Sequence, residues 1–115
     1  MQFFKYILAS LKNLFFGEPK LKAEYIIEMP DKVHPKKIYI AGENGYQWFV
    51  AMSCPCGCEE TLYMNLDNKA RPRWDVEIHD DKSVTLYPSV NRTIGCRSHF
   101  YLRKGKIQWC KHNYT

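Results

Sequence analysis

The alternation of apolar and polar residues predicts β-strands over most of the chain. In TLYMNL (residues 61–66), Leu62, Met64 and Leu66 alternate with residues suited to solvent, which is the period of two that a half-buried strand shows. Short runs rich in aromatic and β-branched residues favour strands elsewhere. We predict further strands at 23–28, 37–42, 47–53, 73–78, 83–88, 99–103 and 106–110.

Three turn-prone stretches join neighbouring predicted strands. These are Glu43-Asn44-Gly45, residues 79–82 and Lys104-Gly105, and such residues are typical of tight hairpin connections. The pattern therefore predicts a mostly β protein, a small domain of antiparallel sheet and hairpins spanning residues 18–115.

The first 17 residues follow a different pattern. Phe4, Leu8, Leu11 and Phe15 recur at helical spacing and predict one amphipathic α-helix, which Gly17 and the following proline would end. Its apolar run is too short and too interrupted to cross a membrane. We interpret residues 1–17 as a helix packed on the domain or on a partner, and contact of residues 1–16 with a membrane surface stays open.

Composition narrows the classes of protein and of partner. The chain has 115 residues, of which 45% are hydrophobic, and a net charge of +5; this suits one folded domain and permits an acidic partner. No recognition-helix, RNA-recognition or zinc-finger nucleic-acid signature accompanies the charge, so nucleic acid is not an expected partner. Five cysteines do not suit a secreted disulfide framework, and we predict a cytoplasmic protein.

The densest chemistry lies in SCPCGCEE (residues 53–60), where Cys54, Cys56 and Cys58 alternate with Pro55 and Gly57. In an extended chain the α-carbons of the outer two cysteines would lie about 13 Å apart, too far to share one ion. Proline presets one turn angle and glycine permits a positive φ. The segment is therefore predicted to fold back as a metal-binding knuckle.

A distant segment offers the remaining ligand. Cys96 opens a second turn-like pair, Cys-x-x-His, with His99, and Cys110 ends the last predicted strand. The predicted ligand set is Cys54, Cys56, Cys58 and Cys96, and Cys110 or His99 could replace one of these. Four thiolates would form a closed, structural site for Zn²⁺, the metal that thiolate chemistry in a small chain favours.

Several separated motifs, in order, carry a family resemblance. CPCGC, RPRW, LYPSV, RTIGCRSHF and a closing GKIQWC resemble one bacterial family of small cysteine-rich domains of unknown function, encoded beside ubiquitin-like conjugation genes. The resemblance covers roughly residues 38–110 and excludes the predicted helix. One departure is Glu59, where the family pattern has a glycine after the last clustered cysteine.

The resemblance implies zinc binding, partnership with a ubiquitin-like protein or its E1- and E2-like enzymes, a setting in antiphage defence, and a peptidase that trims or removes the ubiquitin-like tail. The family motifs map onto the three clustered cysteines, onto Ser89, and onto Cys96, Ser98 and His99. Whether this chain is an enzyme or a non-catalytic zinc-binding adaptor is left open.

A hydrolase of this kind needs a nucleophile, a base in hydrogen-bond reach and donors for the oxyanion. Ser89 and His99 would meet if residues 90–97 double back, which would also carry Arg92 toward the oxyanion. Ser98 is a second candidate nucleophile, but neighbouring side chains on a strand point to opposite faces, so it would not pair with His99.

A carboxylate would orient the histidine of such a site. Asp75 and Glu77 are both placed for this on a predicted strand, and the sequence does not decide between them. The predicted catalytic pair is therefore Ser89 and His99, with its third member unassigned.

Overall fold

A computed structural model describes residues 19–110. It contains nine β-strands, and within this range no helix: β1 (Lys22–Ile26), β2 (Lys37–Glu43), β3 (Tyr46–Ser53), β4 (Thr61–Asn65), β5 (Asp75–Ile78), β6 (Val84–Tyr87), β7 (Val90–Asn91), β8 (His99–Arg103) and β9 (Lys106–Trp109). The prediction of a mostly β protein is confirmed for this range. The predicted helix over residues 1–17 lies outside it, and the division into 1–17 and 18–115 stays a prediction.

The strands form three small sheets. Sheet A has the order β1-β2-β3-β4, sheet B pairs β5 with β6, and sheet C has the order β7-β8-β9. The pairings β2–β3, β3–β4, β5–β6 and β8–β9 are antiparallel, as predicted, and so is the pairing of β8 with β7, a strand that was not predicted. The three predicted hairpins are β2–β3, β5–β6 and β8–β9.

Strand β1 departs from the predicted antiparallel arrangement, because it runs parallel to β2. Residues 27–36, which include Pro30 and Pro35, return the chain to the same end of the sheet before β2 begins. Prolines lack the N–H that a ladder needs, so this segment crosses over instead of pairing as a hairpin arm.

Residues of all three sheets meet in one apolar core. On sheet A, the register pairs Val50 with Met64 and Met52 with Leu62, and these side chains face inward. The predicted alternation in β4 is confirmed, since Leu62 and Met64 are buried and Tyr63 is exposed. The buried core consists of Leu21, Ile38, Ile40, Val50, Met52, Cys54, Leu62, Met64, Val84, Leu86, Val90, Phe100 and Leu102.

Backbone hydrogen bonds between sheets complete the frame. Gly105 N–H donates to the carbonyl of Val84, which joins the β8–β9 turn to β6, and Leu21 N–H donates to the carbonyl of Gly105. Phe100 on β8 is fully buried and meets the Trp109 ring edge-on at 5.7 Å. The start of β8, where the predicted site residues lie, is thus held between the core and its neighbouring strands.

In residues 19–110, nothing with the length and apolar character of a membrane-crossing helix is present.

Candidate active site and thiol cluster

The three clustered cysteines follow β3 in a tight knuckle. Cys54 N–H donates to the carbonyl of Glu60 (2.8 Å), and Gly57 N–H donates back to the carbonyl of Cys54 (3.1 Å). Gly57 has φ of 89° and Glu59 of 69°, both in the left-handed region that glycine adopts most readily. The predicted fold-back is confirmed, and the position where the family pattern has a glycine is one of the two left-handed residues.

The knuckle meets Cys96, which reaches it from the loop between β7 and β8. The sulfur atoms of Cys54, Cys56, Cys58 and Cys96 all lie within 4.8 Å of one another. Cys54 Sγ is 3.4 Å from Cys56 Sγ and 3.6 Å from Cys96 Sγ, near the roughly 3.8 Å between thiolates on one tetrahedral zinc. These four residues, which we call the thiol cluster, could hold a metal ion.

The two alternative ligands lie apart from this group. Cys110 follows β9 and donates its N–H to the carbonyl of His99 across sheet C (2.9 Å). The His99 ring is instead directed to Ser89, as described below. The structure thus assembles the all-cysteine set that the sequence favoured.

Hydrogen bonds shift the pKa values of the clustered thiols in opposite directions. The Ser98 hydroxyl lies 3.0 Å from Cys96 Sγ, and hydrogen bonding from Ser98 lowers the pKa of Cys96 to about 6. The backbone N–H of Glu60 lowers the pKa of Cys58. The hydrogen bond with Cys54 raises the pKa of Cys56 to about 11. Ligation requires thiolates, and the thiol of Cys96 gives up its proton more readily than the thiol of Cys56.

The guanidinium of Arg92 also contacts this cluster. Its Nη1 donates to Cys96 Sγ (3.0 Å) and to Cys58 Sγ (3.5 Å). These contacts do not support the expectation that Arg92 approaches a developing oxyanion, which stays a prediction. The positive charge of the guanidinium therefore lies against sulfurs that become negative when they ionise.

The predicted serine–histidine pair is assembled at the opposite face of β8. Ser89 Oγ lies 3.0 Å from His99 Nε2, within hydrogen-bond range. The two meet because β7 directly follows Ser89 and pairs with β8 in a register that sets Asn91 opposite His99. Both residues are half-buried.

Ser98 is excluded from this pair by strand geometry, as predicted. It is 6% exposed, and its hydroxyl contacts Cys96 Sγ and, at 3.5 Å, Cys54 Sγ. These two neighbouring residues therefore face opposite sides of the strand: Ser98 contacts the thiol cluster and His99 contacts Ser89.

Trp74 fixes the backbone of Ser89, a contact that sequence reasoning missed. Its indole Nε1–H donates to the carbonyl oxygen of Ser89 (3.2 Å), while the ring packs against the core. The RPRW motif was noted only as part of a family pattern. A buried indole usually seeks an acceptor, but the sequence does not show which one.

The two carboxylates considered as orienting groups make hydrogen bonds elsewhere. Asp75 accepts from Arg73 (2.6 Å) and Glu77 accepts from the Tyr87 hydroxyl (3.0 Å). The structure therefore supports neither residue as the third member of the site.

A serine hydroxyl within hydrogen-bond range of a histidine nitrogen is compatible with nucleophilic hydrolase chemistry, and the four convergent thiols could hold a metal ion. Residues 25–110 match the model of the family described as "Bacterial ubiquitination-like system serine protease (BubE)". The chain belongs to this family, so the resemblance noted over residues 38–110 is confirmed and begins further upstream. A search of curated proteins and a search of solved structures found no match.

Proposed function

We propose that the protein is a zinc-stabilised serine peptidase that processes or deconjugates a bacterial ubiquitin-like protein, with Ser89 as nucleophile and His99 as general base. The single observation that carries this proposal is the 3.0 Å contact between Ser89 Oγ and His99 Nε2. The family name, which describes a serine protease of a ubiquitination-like system, supports the same chemistry.

The first half of the reaction transfers an acyl group to Ser89. His99 Nε2 takes the proton of the hydroxyl while Oγ attacks the scissile carbonyl carbon, and the carbonyl electrons move onto its oxygen. When the tetrahedral intermediate collapses, the carbon–nitrogen bond breaks and protonated His99 gives its proton to the leaving amine. The acyl group is left on Ser89 as an ester.

The second half releases the carboxylate. Water enters in place of the amine, His99 takes one of its protons, and the resulting attack on the ester returns the proton to Ser89 Oγ. Trp74 would hold the Ser89 carbonyl in place through both halves. The leaving amine is the α-amine of a peptide extension in processing, or a lysine amine in deconjugation.

The thiol cluster fits Zn²⁺ by the chemistry of its donor set, four sulfurs within 4.8 Å. With every ligand position taken by cysteine, the bound ion supplies structural rigidity. Its location on the Ser98 face of β8 leaves His99 available to Ser89.

The partners proposed for this reaction are the ubiquitin-like protein and the E1- and E2-like enzymes of the pathway, in the cytoplasm. A non-catalytic zinc-binding adaptor for the same partners is the alternative that an experiment must exclude. The setting in antiphage defence stays a prediction.

The test is cleavage of a bacterial ubiquitin-like protein carrying a short C-terminal peptide extension. Ser89→Ala should lower kcat/KM by at least about 10³-fold while zinc content and melting temperature stay near those of the unmodified chain. Thr93→Ala, which removes an exposed hydroxyl from the neighbouring loop, is the matched control and should cleave normally. Binding of the ubiquitin-like protein without cleavage by the unmodified chain would favour the adaptor.

A further inference from the structure

We propose that Arg92 is a positioning residue through which the thiol cluster sets the distance between Ser89 and His99. Arg92 touches neither member of the pair in the contacts described above. The part of the proposal that is tested through the reactivity of Ser89 rests on the proposed peptidase function. The effect of Arg92 on metal binding does not depend on that function.

The side chain of Arg92 bridges two separate parts of the cluster. It donates to Cys96 in its own loop at 3.0 Å and to Cys58 in the knuckle at 3.5 Å. A β-carbon at Gly95 would lie 3.1 Å from Arg92 Nη2, so a side chain there would crowd the guanidinium. The loop is thus shaped around a half-buried arginine held on two sulfurs.

The backbone of Arg92 leads directly to Ser89. Residues 90–91 form β7, which separates the two residues and pairs with the start of β8. Arg92 N–H extends this pairing by donating to the carbonyl of Ser98 (2.8 Å). Movement of Arg92 away from the sulfurs would therefore release the far end of β7, the short strand that directly follows Ser89.

His99 is tied to the same cluster by a second link, through its neighbour in sequence. Ser98, its neighbour, lies with its hydroxyl 3.0 Å from Cys96 Sγ and 3.5 Å from Cys54 Sγ. Both halves of the pair are therefore anchored to sulfurs of the thiol cluster, Ser89 through Arg92 and His99 through Ser98. The position of the cluster sets the spacing of the pair without the metal touching a substrate.

Charge also stabilises Arg92 in its position on the sulfurs. Four thiolates around a divalent ion leave two net negative charges, which one guanidinium partly offsets. A guanidinium presents its donors in a rigid fork and can hold two acceptors at fixed positions, whereas a lysine ammonium is a flexible point charge. Residues that contact metal ligands in this way commonly contribute 10- to about 100-fold to metal affinity or activity.

The experiment compares Arg92→Gln and Arg92→Lys with Arg97→Gln. Arg97 lies in the same loop and is exposed, so its replacement removes the same charge without the sulfur contacts. Zn²⁺ affinity is measured by competition with a chelating dye, and the sulfur-to-metal absorption of the Co²⁺ form reports the geometry of the cluster. The reactivity of Ser89 is measured with a fluorophosphonate probe at saturating Zn²⁺, with Ser89→Ala as the blank.

We expect Arg92→Gln to weaken Zn²⁺ binding by about 10- to 100-fold and to slow labelling at least about tenfold even when the cluster is filled. Arg92→Lys should recover more of the affinity than of the labelling, and Arg97→Gln should change neither. Labelling by Arg92→Gln at the rate of Arg97→Gln, with Zn²⁺ saturating, would overturn the positioning role.

Failure of the proposed function has its own signature. If the unmodified chain is labelled no faster than Ser89→Ala, then Ser89 is not the nucleophile, and the His99 ring resonances in the NMR spectrum decide about Arg92. A shift of those resonances in Arg92→Gln but not in Arg97→Gln supports the positioning role, and unchanged resonances in both variants overturn it.

Discussion

Replacing Glu59 with glycine should stabilise the knuckle that carries the clustered cysteines. Glu59 has φ of 69°, a conformation in which the β-carbon of an L-residue crowds the following carbonyl. The residue is exposed, so the substitution removes little packing. The left-handed turn at Glu59 also directs the N–H of Glu60 toward Cys58, whose pKa it lowers.

The size of the effect follows from two opposed contributions. A left-handed residue other than glycine costs roughly 1–2 kcal/mol, and glycine costs about 0.5–1 kcal/mol in lost chain entropy on folding. The two contributions differ by about 0–1.5 kcal/mol, and the midpoints of their ranges give a net gain of about 0.75 kcal/mol in the free energy of unfolding. In a domain of this length that gain corresponds to a rise of about 2–5 °C in the melting temperature.

The assay is thermal unfolding of the zinc-loaded chain, followed by circular dichroism. Lys82→Gly is the control for conformation, since Lys82 has φ of 73° in the β5–β6 turn, remote from the sulfurs, and should give a similar rise. Glu59→Gln is the control for charge, because it removes the carboxylate and keeps the strained backbone.

A melting temperature for Glu59→Gly at or below that of the unmodified chain would refute the strain argument. An equal rise in Glu59→Gln would also refute it, because the benefit would then come from removing a carboxylate near the thiolates.

Three further outcomes are expected. Cys54→Ser should lose the bound metal, because its sulfur lies at the centre of the cluster, while Cys110→Ser should keep one ion per chain; elemental analysis of the purified variants checks this. Trp74→Phe should lower the free energy of unfolding by about 0.5–1.5 kcal/mol and slow the labelling of the serine whose carbonyl it holds, whereas Trp109→Phe, the same chemical change without that bond, should leave labelling intact. Hydrogen bonds from Ser83, then the bond from Lys20, lower the pKa of Asp81. The ionised carboxylate therefore adds to the free energy of unfolding above its usual pKa near 3.8, and this contribution is lost as the pH falls. Asp81→Asn should flatten the acid limb of a plot of melting temperature against pH.

The local pattern of apolar and polar residues was sufficient to predict most of the strands. The alternation in β4 and the three hairpin turns depend on neighbours in sequence, and the structure reproduces them. The two-residue strand β7 was not predicted, since Val90 and Asn91 form no pattern long enough to show a period. It exists because β8 offers it a partner.

Some features of the candidate site could also be predicted from local sequence, and others could not. Pro55 and Gly57 predicted the turn in the cysteine segment, and the period of a strand predicted the opposite orientation of Ser98 and His99. The hydrogen-bond partners of Trp74 and Arg92 could not be predicted from the sequence, because each flexible side chain can reach many different acceptors.

By itself, then, the sequence determined what depends on adjacent residues: the strands with a clear period, the fold-back of the cysteine segment, and the three clustered thiols of the candidate metal site. Tertiary structure alone decided what depends on distant segments: the parallel pairing of β1, the 3.0 Å approach of Ser89 to His99, and the turn of Arg92 toward sulfur. The physical reason is that hydrogen bonds and ion pairs between such segments form only where packing of the common core brings their atoms within about 3 Å, and no local pattern encodes that distance.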